Sequence, residues 1–388
     1  MRESLESDHA MGAAPENLKP LTALRFAAAI WVVGYHYWPD LTRAAAPTLI
    51  AKGYLGVELF FVLSGFILSH VYLTSFGEGR FRFGSFLWAR LARIYPLHIA
   101  MIAGLGLLVG FATLIGAKTG GEVVVWNSLP AQLSLTQAWG LGLHGGWDHP
   151  SWSISAEWFA YLTFPVFAWA AWRLRQRPIL AVVCALALLA VLELGFEPLA
   201  GFALTKATIA WGALRIVPCF AYGCAIWLAW RAARVQTPAS AGAWAAGFVM
   251  AVVLAADMGA PDLESIALFG GLIFALASLS KSGSRLLSGR VGVYLGEVSF
   301  AVYMVCIPWS LAFVGAAQKL LHLQAGPLPW PLWALMFVGV VPVAMLAHHL
   351  VERPAREAMR AWEAAGFPWR RQSLLRARIR QLTEPRPA

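Results

Sequence analysis

LTALRFAAAIWVVGYHYW, from Leu21 to Trp38, is the stretch on which the reading of this chain turns. It is long and apolar enough to cross a bilayer as a helix, which takes roughly 20 residues. It also carries a charge, Arg25, and a titratable ring, His36. A charge near the middle of a membrane helix costs at least about 2.5–3.5 kcal/mol, so its presence asks for a reason. At about 100° and 1.5 Å per residue, the separation amounts to three turns plus roughly 20°, which puts both side chains on one face about 16 Å apart. One helix thus presents a cation near one membrane surface and a base near the other.

Composition extends this reading to the whole chain. Of its 388 residues, 59% are hydrophobic and 13% charged, whereas soluble domains run at roughly 45–50% and about 25%. Further apolar runs lie near 53–76, 87–116, 152–172, 178–195, 207–230, 241–257, 264–281, 292–316 and 328–351. With the first, they make about ten spans of bilayer length. The expected fold class is all-α, a polytopic membrane helical bundle. The run over 87–116 is longer than a bilayer needs and must tilt or project beyond it. No internal repeat is evident.

The formal net charge of +10 would suit nucleic acid, but the arginines stand in short connections between apolar runs. That is the pattern of membrane orientation, and no nucleic-acid partner is expected. Basic residues recur in alternate connections: Arg80 to Arg93, Arg173 to Arg177, Arg231 and Arg234, then Lys281 to Arg290. The connections between them are poor in arginine and hold Asp148, Glu197, Asp257, Asp262 and Glu264. Positive charge collects on the cytoplasmic side, so both termini are expected there. The expected organisation is a cytoplasmic segment over 1–19, a transmembrane domain over 20–356 and a basic cytoplasmic tail over 357–388. The tail's arginines suit contact with anionic lipid headgroups. The first segment is polar and lacks a short apolar core with a cleavage site, so the first span is expected to stay in the mature chain. The four cysteines, Cys184, Cys219, Cys224 and Cys306, lie in apolar runs without metal-site spacing. They read as small hydrophobes, with neither a disulfide framework nor a metal expected.

Orientation assigns depths to the polar residues. His36, Glu58 in the second span and Glu157 in the fourth share the outer half, with Trp152 and Ser153 at the outer surface. A histidine beside carboxylates can act as a general base on a hydroxyl. At the inner end Arg25 meets Arg90 and Arg93, and clustered guanidinium groups suit phosphate. Arg215, inside the sixth span, needs a counter-charge, and Glu58 or Glu157 can supply it. Gly53, Gly56 and Gly65 permit close helix packing. His70, His98, His348 and His349 lie nearer the inner ends and read as packing residues. The connection over 117–151, rich in Gly, Trp and His, has the composition of a segment that partly re-enters the membrane.

In order along the chain, these residues resemble acyltransferase family 3, membrane proteins that pass acyl groups from acyl-CoA to extracytoplasmic glycans. Arg25 and His36 look like the family's Arg-x10-His motif, GVELFFVLSGF at 56–66 like its second-helix signature, and RLARIYP at 90–96 like its Arg-x-x-Arg motif. WSISAEWFAY at 152–161 is similar to its Trp-Ser-Leu-x-x-Glu stretch, and LVERP at 350–354 to its closing Val-Glu-Lys/Arg-Pro. SFAVYMVCIP at 299–308 departs from the pattern, with Cys306 at the family's histidine and Phe300 at its first tyrosine. The soluble hydrolase-like domain fused to some relatives is absent, so the chain is expected to act alone or with a separate partner.

The resemblance implies acyl-CoA, acetyl-CoA in the first instance, as donor, and a sugar hydroxyl of a surface polysaccharide or lipid-linked glycan as acceptor. It implies His36, Glu157 and Glu58 as catalytic residues and Arg25, Arg90 and Arg93 as the donor's phosphate ligands. Trp152, Ser153, Tyr161 and Arg215 give support on the acceptor side. The bacterial cytoplasmic membrane is the implied location, membrane lipids are partners, and an oligomer is permitted. A secondary-metabolite sugar is an alternative acceptor. The same Arg, His and Glu set would also serve a proton-coupled transporter, and a non-enzymatic scaffold for glycan assembly is a third reading.

Overall fold

A computed structural model describes residues 18–116, 123–141 and 145–366. The expected N-terminal segment up to residue 17 and the tail from 367 onward lie outside the described residues.

Helix α1 runs over Lys19–Leu41, α2 over Gly56–Gly77 and α3 over Phe83–Leu114. A loop with short helical turns leads to α4 (Trp152–Leu162) and α5 (Phe164–Arg173). Then follow α6 (Pro178–Ala200), α7 (Gly212–Ala232), α8 (Pro238–Asp257), α9 (Asp262–Lys281), α10 (Arg290–Leu320) and α11 (Trp330–Ala347). A π-helical turn, His348–Glu352, leads into α12 (Arg353–Ala364). Among the described residues there is no strand, only an isolated bridge between Thr208 and Trp211. The chain is an all-α polytopic membrane bundle.

Among the described residues, eight helical segments are by themselves long and apolar enough to cross a bilayer. The other two expected spans are α1 and the α4–α5 pair. Helix α1 has 23 residues, but Lys19, Arg25, His36 and Asp40 reduce its apolar character. Helices α4 and α5 have 11 and 10 residues, each too short alone. They part at Thr163 because Pro165 lacks an N–H and cannot continue the ladder, so Val166 N–H donates back to the Thr163 carbonyl.

Burial sorts the helices into layers. About 78% of the apolar stretch of α7 and 61% of that of α9 is buried, against 22% for α3, α6, α8 and α11. The former are central and the latter present leucines and valines such as Leu107, Leu194 and Val338 outward, where lipid tails take the place of a core. The closest pairing is α2 against α7. A Cβ on Gly65 would strike the Phe220 carbonyl, and one on Gly223 would strike the Val62 carbonyl, so the two backbones touch. Gly53 and Gly56 let the start of α2 approach the backbone of α1 in the same way. The packing reading of these glycines holds.

Candidate active site

Five helices enclose a cleft of about 150 Å³. Arg25 comes from α1, Arg90 and Arg93 from α3, Ser153, Glu157 and Tyr161 from α4, and Phe300 and Tyr303 from α10, while α2 supplies Ser64 and an apolar wall of Phe60, Phe61 and Ile67. Six residues expected at two ends of the molecule therefore share one space.

The arginines hold donors in reserve. Arg93 gives Nη1 to Glu352 at 3.0 Å and lies 5.7 Å from the Phe300 ring centre, while its Nη2 is buried without a partner. Arg90 lies 5.8 Å from the Tyr72 ring centre, and its Nε is likewise unpaired. Arg25 has no side-chain hydrogen bond to any described residue, although the charges of Arg93, Glu157 and Glu352 reach it. An unsatisfied buried guanidinium is costly unless a ligand completes it, and three facing one cleft favour an anion with several oxygens.

Glu157 belongs to this arginine end. It accepts a hydrogen bond from Ser64 Oγ at 2.7 Å, and Tyr161 lines the cleft beside it. The sequence reading placed it beside His36, with Trp152 and Ser153 at the surface. The structure differs because the preceding loop folds into the bundle: Ser128, Gln132, Gln137, Asp148 and Ser151 are all fully buried. Helix α4 therefore starts inside the protein, with Trp152 only 4% exposed, and Glu157 falls at the level of Arg25. The loop anchors itself through Gln137 Nε2 donating to the Ser151 carbonyl at 3.1 Å and Ser151 Oγ donating to Gln132 Oε1 at 3.1 Å.

Glu58 and Arg215 form a second group. Arg215 Nε donates to Glu58 Oε1 at 2.5 Å, and Nη1 donates to the Ala207 carbonyl at 2.7 Å. The side chains are 3% and 1% exposed. The guanidinium lies 4.6 Å from the Trp152 ring centre, close enough for a cation–π contact. The counter-charge that sequence left open is Glu58.

His36 stands apart from both groups. Half-buried, it packs edge-on against Tyr35 with ring centres 5.2 Å apart. Its electrostatic neighbour is His149 at the end of the buried loop. No described residue makes a hydrogen bond to its ring, so both nitrogens are open to a ligand. The cleft ends short of it at Ser153 and Tyr303, and Tyr303 Oη donates to the Pro150 carbonyl at 2.9 Å. Cys306, one turn beyond Tyr303, accepts from Tyr37 Oη through its carbonyl at 2.6 Å, so its departure from the family histidine leaves a backbone tie between α1 and α10.

Two further residues escaped the sequence reading. Glu352, in the π-helical turn, is 1% exposed and binds Arg93, His348 at 2.8 Å and Arg356 at 3.4 Å. Its signal was present in LVERP, but only the fold brings it under Arg93. Asp148 is fully buried with neither carboxylate oxygen partnered, and burial pushes its carboxyl well above the usual carboxylate range. In sequence it served only as an acidic marker of one face.

A family model described as "Acyltransferase domain" matches residues 19–349. The acyltransferase MdmB of Streptomyces mycarofaciens is 28% identical over 372 residues, which cover 87% of this chain and 91% of that protein. Protein 2 in the picA locus of Rhizobium radiobacter is 40% identical over 89 residues, 23% of this chain and 44% of that protein. No solved structure matches. The matched span begins with the helix of Arg25 and His36 and ends within the turn that carries Glu352, so it takes in nearly every site residue described above; the chain belongs to acyltransferase family 3 and is a multi-pass membrane enzyme that transfers acyl groups.

Proposed function

We propose that this enzyme moves an acetyl group from acetyl-CoA to a sugar hydroxyl of a surface polysaccharide or lipid-linked glycan. The observation that carries the proposal is the cleft lined by three guanidinium groups, with Arg90 Nε and Arg93 Nη2 buried and unpaired and Arg25 without a side-chain hydrogen bond to any described residue. The donor's phosphates bind Arg25, Arg90 and Arg93, and its extended arm follows the cleft toward Tyr303. On this reading the arginine end faces the cytoplasm, both termini lie there, and the membrane is the bacterial cytoplasmic membrane.

His36 then acts as the general base. It takes the proton from the acceptor hydroxyl as that oxygen attacks the thioester carbon, the carbon–sulfur bond breaks, and the proton passes to the departing thiolate. The alternative role, in which His36 briefly carries the acyl group, uses the same open ring nitrogens. Glu157 orients Ser64 and Tyr161 along the donor path, while Glu58 holds Arg215 against Trp152 and so shapes the acceptor side.

The test is mass spectrometry of surface glycans from cells with and without the protein. The expected result is the loss of one acetyl mass per modified unit. Identical glycans, together with proton-coupled uptake and no release of CoA, would replace this reading with transport.

A further inference from the structure

Beyond His36, at the end of α1, lies a second hollow of about 540 Å³, within the range of small-ligand sites, roughly 300–1,000 Å³. One wall is Trp38, Asp40, Thr42 and Arg43, and the other includes Gln318 from α10. Trp38 is held in place, since its Nε1 donates to the Ala44 carbonyl at 3.0 Å while Ala44 N–H donates to Thr42 Oγ1 at 3.1 Å. The facing wall is tied to the same helix end by Leu328 N–H donating to the Asp40 carbonyl at 2.7 Å. The groove is therefore braced on both sides.

Three of its polar side chains remain available to a ligand. Asp40, Arg43 and Gln318 make no side-chain hydrogen bond to any described residue. A carboxylate, a guanidinium and an amide supply acceptors and donors with no net charge. A fixed indole adds a flat apolar surface. That combination suits an uncharged polyhydroxylated ring, whose C–H face packs on the indole while its hydroxyls meet the polar groups. It does not suit a phosphate, which Asp40 repels, or an acyl chain. The location matters as well: Asp40 follows His36 by four residues in one helix, so the two share a face with about 5–6 Å between Cβ atoms.

We propose that this groove is the acceptor subsite, binding a glycosyl unit through Trp38, Asp40, Arg43 and Gln318 and presenting one of its hydroxyls to His36. The assignment rests on the acetyl-transfer reading above and adds the place where the sugar is recognised. Because a site built to hydrogen-bond hydroxyls discriminates strongly against ligands lacking them, the groove also sets which sugar is modified.

The test uses the full chain in fluorescent lipid nanodiscs, applied to an array of immobilised mono- to tetrasaccharides. The expected result is retention on a subset of sugars by the wild type and equally by His36→Ala. Trp38→Ala and Arg43→Ala should reduce retention at least tenfold while keeping the wild-type affinity for CoA, which reports an intact bundle. Gln318→Cys, treated with a bulky maleimide, blocks the groove from the other wall without touching α1 and should lose retention in the same way. Retention on no sugar, or retention unaffected by the maleimide at residue 318, overturns the proposal. Sugar binding by a chain that transfers no acyl group would sink the functional reading and leave the groove. Acyl transfer unaffected by blocking the groove would do the reverse.

Discussion

Arg215 illustrates what a single residue imposes on a bundle of this kind. Its guanidinium is buried, with Nε on Glu58 and Nη1 on the Ala207 carbonyl. Breaking such a pair by removing one partner costs about 3–5 kcal/mol, because the remaining charge is stranded. Glu58→Ala should therefore lower the unfolding midpoint in nanodiscs sharply, and adding Arg215→Met should regain part of the loss; equal midpoints for the single and double variants would contradict this. The arginines of the cleft make a different prediction. Charge-assisted hydrogen bonds contribute about 1.5–3 kcal/mol, so Arg25→Ala should weaken CoA binding by roughly 10- to 150-fold. Binding of pantetheine, which lacks the nucleotide phosphates, should stay unchanged, and titration calorimetry with both ligands separates the cases. At this scale the residue types were legible in the sequence but their pairing was not. Glu58 and Glu157 both lay within reach of Arg215 on paper, and only helix rotation assigns one to Arg215 and the other to Ser64.

Helices and loops carry the next constraint, and two glycines show its strength. On α2 and α7, Gly65 and Gly223 sit against the partner's backbone, whereas Gly104 on α3 has open space around it. Gly223→Val should destabilise the protein by at least about 1–3 kcal/mol, the usual cost of overpacking. Gly104→Ala should be neutral or stabilising by roughly 0.5–1 kcal/mol, the ordinary gain of replacing a helical glycine; thermal unfolding of the two variants checks the contrast. Asp148 adds a pH dependence. Its native carboxyl titrates above its unfolded value because of burial, so the native state binds the proton more tightly and loses stability as pH rises from about 4 through the raised value. Asp148→Asn cannot ionise and should flatten that part of the stability–pH curve, which unfolding midpoints between pH 4 and 8 would reveal. The spans themselves were legible because apolar runs of bilayer length have few alternatives. The inward fold of the loop before α4 was not. Its burial depends on side-chain amides that meet only in three dimensions, as Gln132, Gln137 and Ser151 do, and its depth decides where Glu157 falls.

For the molecule as a whole, the arrangement is a bundle with an arginine-lined cleft at one end of α1 and an open histidine toward the other. The distribution of arginine predicts the side on which each end lies. A cysteine at Ser284, in the arginine-bearing connection between α9 and α10, should be protected from an impermeant maleimide in intact cells, and one at Ala45 should be labelled; the opposite pattern would invert the proposed orientation. Family membership was legible from the ordered motifs of the sequence, since Arg25, His36, the arginine pair and the Trp-Ser stretch keep their order whatever their exact contacts. The separation of His36 from both carboxylates was not, because it follows from where α2 and α4 begin. The most direct test of the account is acetyl transfer by purified protein in nanodiscs, with isotope-labelled acetyl-CoA and the glycan fraction shown to be acetylated in cells. Wild-type protein should label the glycan and release CoA, and His36→Ala should bind CoA normally yet transfer no label. Transfer at the wild-type rate by His36→Ala would contradict the assignment of His36 and, with it, the account of the site.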